Sequence, residues 1–233
     1  MRSIVETVLE YIQPADEVDS LAEFEDLIFS DKRKTMIEST FYHNFLQFFE
    51  KQSISRIEGA VVNVGIFKGG FSLFLKALYQ ELELKNEFWL FDSFKGFGEM
   101  KVFSDAEKDC LKWFNSYLHK VKLPTKSELA IEFKQFGIED NLNIVDGFIE
   151  QTSVIFPHDK IALLHIDVDF YYPTLEALNV FYDKVSKGGI IIIDDYNLKQ
   201  TNCKEAVDQF RKEKNISSRL EVLGNYQVAW IKK

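Results

Sequence analysis

Two apolar runs in this chain end in acids: Ile161-Ala-Leu-Leu-His-Ile-Asp-Val-Asp169 and Gly188-Gly-Ile-Ile-Ile-Ile-Asp-Asp195. Each has the composition of a strand buried on both faces of a parallel sheet. If the two strands are neighbours, Asp167, Asp194 and Asp195 converge. Carboxylates crowded in a low-dielectric cleft repel one another unless a cation sits among them. An all-oxygen donor set favours Mg2+, Mn2+ or Ca2+ over zinc. One acid closing a strand would read as a helix cap or a solvated end. Three acids on two adjacent runs point to a divalent-metal site.

The elements that position these acids can be read around them. Between the runs, Leu175, Leu178, Phe181 and Tyr182 recur at helical spacing from Pro173 onward. The unit is β-α-β, and its right-handed crossover brings both acid ends to one edge of the sheet, the edge where open parallel sheets bind ligands. Upstream, Gly59 to Gly65 reads as the first strand. A turn carrying Gly65, Gly69 and Gly70 follows, then a helix with Phe71, Phe74, Leu75 and Leu78 inward. This is the layout of a nucleotide-binding crossover, although the spacing is not GxGxxG. Glu87 to Asp92 is the second strand, and its closing acid stands where such folds hold a ribose. Tight-turn glycines and a capping acid would serve equally in any α/β protein.

The remaining segments frame that core. Residues 1–50 read as a helical N-terminal extension with three apolar faces: Ile4, Val5, Val8, Leu9 and Ile12; Leu21, Phe24, Leu27 and Ile28; and Met36, Ile37, Phe41, Phe45, Leu46 and Phe49. Residues 51–233 then form the main domain. Residues 99–140 exceed what one crossover needs and read as a lid-like insertion. One of its helices runs through Leu111, Trp113, Phe114 and Leu118; a second, capped by Ser127, runs through Leu129, Ile131 and Phe136. Leu142 to Asp146 is a short third strand. Arg219 to Leu223 and Tyr226 to Lys232 alternate as a hairpin about Gly224-Asn225.

Composition narrows the function classes. With 233 residues, 4 prolines and 11 glycines, the chain is long and apolar enough for one α/β core, and nothing suggests disorder. A net charge of -9 with no basic block argues against nucleic acid as a partner. Cys110 and Cys203 match no metal or redox spacing and read as free thiols of a reducing cytoplasm. No apolar run approaches the length of about 20 residues needed to span a membrane, and the acidic start lacks a signal-peptide core, so a cytoplasmic protein is expected.

Several of these stretches together resemble the macrocin O-methyltransferase (TylF) family of class I methyltransferases. They are Thr35-Met36, Val61-Val-Asn-Val-Gly-Ile-Phe-Lys-Gly-Gly70, Trp89-Leu-Phe-Asp-Ser-Phe-Lys-Gly96, the two acid-ending runs through Tyr171 and Tyr196, Pro173-Thr-Leu-Glu-Ala-Leu178 and Cys203-Lys-Glu-Ala-Val-Asp-Gln-Phe-Arg211. The resemblance implies a Rossmann-like, seven-stranded sheet with a C-terminal antiparallel hairpin. It also implies transfer of a methyl group from S-adenosylmethionine to a hydroxyl of a sugar-containing small molecule, dependent on Mg2+ or Mn2+. By motif position Asp167, Asp194 and Asp195 hold the metal. Asn63, Val64, Gly65, Phe67, Gly69 and Gly70 wrap the methionine end. Asp92 and Ser93 hold the ribose, Asp146, Gly147 and Phe148 lie near the adenine, and Thr35 and Met36 reach the cofactor from the N-terminal helices. Asn63 stands where the family usually carries an acid; its amide oxygen still accepts a hydrogen bond.

A metal-bound hydroxyl has a lowered pKa and a fixed position. Asp167 is the expected acceptor of its proton, with Asp169 behind it. His165, inside the strand, reads as a core histidine rather than a base. Three other functions share parts of the pattern. Asp167-x-Asp169 also occurs in phosphatases of the haloacid dehalogenase type, where Tyr171 here replaces the usual Thr, and in Mn2+-dependent glycosyltransferases. A non-catalytic cofactor-binding relative is the third. The acceptor's identity is not legible, and a homodimer through the N-terminal helices is one arrangement the pattern allows.

Overall fold

The computed structural model describes residues 2–14, 29–30, 32–52 and 57–233. The helical face expected over Leu21, Phe24, Leu27 and Ile28 lies outside the described residues. The described elements in chain order are α1 (Ile4–Ile12), α2 (Ser39–Lys51), β1 (Ala60–Val64), α3 (Gly70–Glu81), β2 (Phe88–Asp92), α4 (Asp105–Leu118), α5 (Lys126–Gln135), β3 (Leu142–Asp146), α6 (Ile149–Thr152), β4 (Ile161–Ile166), α7 (Tyr171–Phe181), β5 (Val185–Ile193), α8 (Cys203–Glu213), β6 (Glu221–Val222) and β7 (Val228–Ile231). They build a seven-stranded sheet of order β3-β2-β1-β4-β5-β7-β6. β1 to β5 run parallel, and β7 is antiparallel to both β5 and β6. The strand order reverses between β1 and β4, so their carboxyl ends flank the crevice where such sheets take ligands.

Alternation along the strands splits the core into two layers. Val61, Leu90, Leu163, Ile190 and Ile192 face the layer of α1, α2 and α3. Val62, Val64, Phe91, Leu164, Ile166, Ile191 and Ile193 face the layer of α7 and α8. The first layer is aromatic: Phe41 and Phe45 of α2 meet Phe71 of α3 edge to face at 5.3 and 5.7 Å, and Tyr42 meets Phe74 at 4.8 Å. The two N-terminal helices thus share one apolar layer with the sheet. Aromatic pairs of this kind contribute about 0.5–1.5 kcal/mol each beyond simple burial.

Three details depart from the sequence expectation. Helix α5 is capped by Thr125, not Ser127. Thr125 and Glu128 form a reciprocal capping box, which satisfies two otherwise orphaned N–H groups where a Ser127 cap would forgo the pair. Ile131 is 57% exposed, and Phe133 takes the inward position of that helix instead. The C-terminal hairpin does not close on Gly224-Asn225 alone. Leu223 N–H donates to the Gln227 carbonyl at 2.9 Å, so the turn is longer. The Glu38 carboxylate at the start of α2 accepts from Asn225 N–H at 2.5 Å and from its Nδ2 at 2.8 Å, which holds that wider turn against the N-terminal helices.

Candidate active site

β4 and β5 are hydrogen-bonded neighbours, with Ile166 opposite Ile193, so their last residues emerge side by side. Asp167 N–H donates to the Val64 carbonyl at 2.8 Å, and Asp194 N–H donates to the Ile166 carbonyl at 2.9 Å. Those bonds carry the strand ladder one residue further and fix where each acid leaves it. Carboxylate oxygens of Asp167, Asp169 and Asp195 lie within 4.8 Å of one another. A second group, within the same distance, joins Asp167 and Asp194 to an imidazole nitrogen of His165. Asp169 and Asp195 adopt left-handed backbone at φ 60° and 54°, which turns them back toward the cluster. Non-glycine residues pay for that conformation only where the surroundings enforce it.

The acids are under electrostatic pressure. Burial, then the charges of Asp194 and Asp195, hold the Asp167 carboxyl well above the usual range. Burial, then Asp195, pushes Asp194 up to about 8, against the opposing pull of its bonds from Asp195 N–H and Gln227. Asp169 rises to about 6, chiefly through burial, and Asp195 rises well above its usual range through burial and then Asp169. No salt bridge among the described residues reaches any of the four. Crowded carboxyls with no basic partner must share protons or hold a cation. The donor set therefore fits a hard divalent ion, as the sequence suggests. Asp194 is held by two donors: Gln227 Nε2 donates to its Oδ1 at 2.6 Å, and Asp195 N–H donates to the same oxygen at 2.9 Å.

The β1–β2 half of the edge is built differently. Gly65 is obligatory, because a Cβ there would lie 1.7 Å from the Asp167 carbonyl oxygen. That close approach welds the glycine turn to the acid strand. Gly70 N–H donates to the Lys34 carbonyl at 3.1 Å, and a Cβ on Gly70 would strike that oxygen at 2.6 Å, so Thr35 and Met36 are drawn to the crevice. Asp92 Oδ2 accepts from the N–H groups of Ile66 at 2.8 Å and Phe67 at 3.3 Å, and its Oδ1 accepts from Phe94 at 2.7 Å. Burial raises the Asp92 carboxyl while those three bonds pull it down. In this structure Asp92 organises both loops that leave β1 and β2.

The two halves share one cavity of about 1590 Å³. Single-ligand pockets run to about 1,000 Å³, so there is room for a cofactor and an acceptor together. Thr35, Met36, Asn63, Val64, Gly65, Phe67, Gly70, Asp92, Ser93, Gly147, Phe148, Asp167, Asp194 and Asp195 all line it. Two expected residues do not. Gly69 caps α3, and its open side faces Leu129, with which a Cβ would clash at 2.3 Å. Asp146 ends its strand exposed to solvent. The insertion contributes Cys110, Trp113, Phe114 and Leu118 to the wall.

Gln227 joins the cavity wall without a signal in the sequence, and Glu107 and Ser104 hold the α4 segment from outside that wall. Gln227 looks like an ordinary strand residue, and only its burial beside Asp194 reveals it. Glu107 is fully buried and accepts from Phe103 N–H and from Tyr171 N–H, the latter at 2.7 Å, which ties α4 to the loop after β4. The Ser104 hydroxyl, the α4 cap, donates to Asn202 Oδ1 at 2.6 Å. His165 is buried and neutral, its acid range lowered to about 3 by burial.

Comparison with known proteins places this geometry. The family model of macrocin-O-methyltransferase (TylF) matches residues 25–232. Mycinamicin III 3''-O-methyltransferase of Micromonospora griseorubida is 28% identical over 199 residues, which are 84% of this chain and 77% of the relative. Demethyldecarbamoylnovobiocin O-methyltransferase of Streptomyces niveus is 27% identical over 200 residues, 84% of this chain and 74% of that one. Among solved structures, the O-methyltransferase NovP superposes with a TM-score of 0.80 at 22% identity, covering 98% of each chain. Calicheamicin methyltransferase CalS11 superposes at 0.59 and 18%, covering 98% of this chain and 91% of that one.

Proposed function

The chain belongs to the macrocin-O-methyltransferase (TylF) family and is an S-adenosylmethionine-dependent O-methyltransferase; from that premise we propose that its acceptor is a sugar hydroxyl of a glycosylated small molecule and that Asp167, Asp194 and Asp195 hold a divalent cation, Mg2+ or Mn2+. The observation that carries the metal half is a pair of overlapping groups at the edge of the shared cavity, Asp167–Asp169–Asp195 and His165–Asp167–Asp194, which have Asp167 in common. The names of the relatives support the sugar half, since they include a mycinamicin 3''-O-methyltransferase and a methyltransferase of a rhamnosyl-tetracenomycin from Streptomyces olivaceus. The chain spans 77% and 74% of the first two relatives. Among the described residues no helix is long and apolar enough to cross a membrane.

When bound, the cofactor supplies an electrophilic methyl carbon, and a divalent ion would acidify and fix a coordinated hydroxyl. The protein's contribution is alignment. The turn of Asn63, Val64, Gly65, Phe67, Gly69 and Gly70 would enclose the methionine end, with Gly69 acting through the backbone geometry of the turn. Asp92 and Ser93 would present the ribose side, and Gly147 and Phe148 the adenine side, beyond Asp146. Thr35 and Met36 would close over the cofactor from the N-terminal helices. The aromatic wall of Trp113 and Phe114 would exclude water from the acceptor. Holding donor and acceptor in line replaces a bimolecular encounter with a positioned one.

The acceptor's proton passes to a carboxylate of the cluster. Asp167 is the sequence's candidate, and Asp169 joins it because the structure turns it into the same group of carboxylates. The two separate experimentally. Asp169→Asn retains Mn2+ binding and loses turnover if Asp169 takes the proton; unchanged turnover leaves Asp167. Methyl transfer from labelled cofactor to a panel of glycosides and their aglycones tests the acceptor class. Methylated glycoside is expected, and transfer to the aglycones alone would overturn the sugar assignment.

A further inference from the structure

We propose that His165 is itself a ligand of the divalent cation, through Nε2, beside Asp167 and Asp194. The inference rests on the metal reading above and deepens it, turning an all-carboxylate site into one with mixed nitrogen and oxygen donors.

Strand geometry puts the imidazole there. His165 lies two residues before Asp167 on β4, so the two side chains leave the same face of the sheet. A ring nitrogen of His165 lies within 4.8 Å of carboxylate oxygens of both Asp167 and Asp194. The placement of the Asn63 amide in the structure leaves Nε2 as the free nitrogen. Asn63, the cross-strand partner of His165, donates through Nδ2 to Ser72 Oγ at 2.6 Å, which turns its Oδ1 to His165 Nδ1. With the amide oxygen facing it, Nδ1 carries the proton and donates to Asn63, and Nε2 is left with a bare lone pair. That Nε2 is buried and has no hydrogen-bond partner among the described residues. Buried polar atoms are rarely left so. Phe71 packs on the ring with centroids 4.4 Å apart and fixes its plane.

Metal-bound histidines ordinarily donate their other ring N–H to a carbonyl or carboxylate, which sets the tautomer. Asn63 supplies that carbonyl here. The residue at this position thus serves the metal site through His165, and an amide suffices for it where a carboxylate would add another negative charge to a crowded cluster. An imidazole among carboxylates shifts preference from Mg2+ toward Mn2+ and other first-row ions.

The test is pulsed EPR on the full chain loaded with Mn2+. The expected spectrum carries the nitrogen coupling of a directly bound imidazole, and its pattern changes when the protein is made with 15N-histidine, a comparison that needs no variant. His165→Phe, which keeps an aromatic ring against Phe71, is expected to lose the coupling and to narrow the preference for Mn2+ over Mg2+ by about 10-fold or more. Bound Mn2+ without nitrogen coupling overturns ligation by His165 and leaves the carboxylate site standing. Absence of Mn2+ binding to wild-type protein overturns the carboxylate site and His165 with it.

Discussion

Asp92 and Asp194 each close or immediately follow a central strand at the same edge of the sheet, yet their surroundings are opposites. Asp92 faces three backbone N–H groups from its own loops, so its charge is met by the polypeptide. Asp194 faces other carboxylates, and its two donors, Gln227 and the Asp195 N–H, address one oxygen only. In the β1–β2 half three backbone N–H groups oppose the rise that burial imposes on Asp92. The β4–β5 half must share protons or take up a cation. One edge of the sheet thus combines an acid met by backbone N–H groups with a group of crowded acids, and Gly65 is where the two touch.

Breaking the β4–β5 half has the largest expected effect. Asp194→Ala abolishes methyl transfer and leaves S-adenosylmethionine binding within a few-fold, measured by turnover and by titration of the cofactor. Unchanged turnover removes the metal mechanism. Breaking the junction comes next. Gly65→Ala places a methyl 1.7 Å from the Asp167 carbonyl at a backbone φ of 79°. It is expected to cost upwards of about 3 kcal/mol in urea unfolding and to weaken cofactor and metal binding together. Loss of one without the other would mean the two halves are independent.

Asp92→Asn acts on the β1–β2 half alone. An amide sets an NH2 against at least one of the N–H groups that Asp92 now accepts, at a cost of about 1–3 kcal/mol. Cofactor affinity falls while Mn2+ affinity holds; an equal fall in both contradicts the division. The smallest effect is on pH dependence. Asp169 and Asp194 are raised to about 6 and about 8. From about pH 4 upward the folded chain then holds more protons than the unfolded chain, so metal-free stability falls as pH rises through that window. A cation that requires deprotonated oxygens binds more tightly over the same window. The Tm difference between Mn2+-loaded and metal-free protein is therefore expected to widen from pH 6 to pH 8. A constant difference would indicate that the cation does not replace protons on these acids.

What was legible in the sequence divides along physical lines. The runs ending at Asp167 and Asp194 announced themselves because strands buried on both faces must be continuously apolar, so an acid at their end is conspicuous. The glycine turn was legible for a similar reason, since Gly65 and Gly70 mark close backbone approach. The supporting contacts were not. Gln227 to Asp194 spans 33 positions and Glu38 to Asn225 spans 187, and nothing local distinguishes either partner from a surface residue. The α5 start is ambiguous in sequence because Ser127 and Thr125 are both good caps, and only the reciprocal bond to Glu128 separates them. Strand alternation gives no sign that Asp169 rejoins the group, since it takes no account of a left-handed residue that turns its side chain back. His165 reads as a core histidine from its apolar neighbours, and the structure buries it as such.

The most direct measurement is a calorimetric titration of Mn2+, and separately Mg2+, into the purified full chain near pH 8, repeated on Asp194→Ala. Saturable binding at one ion per chain, lost in the variant, is the result expected of a cluster that its own polypeptide leaves unneutralised. Absence of binding to the wild-type chain, or equal binding to both, would contradict it.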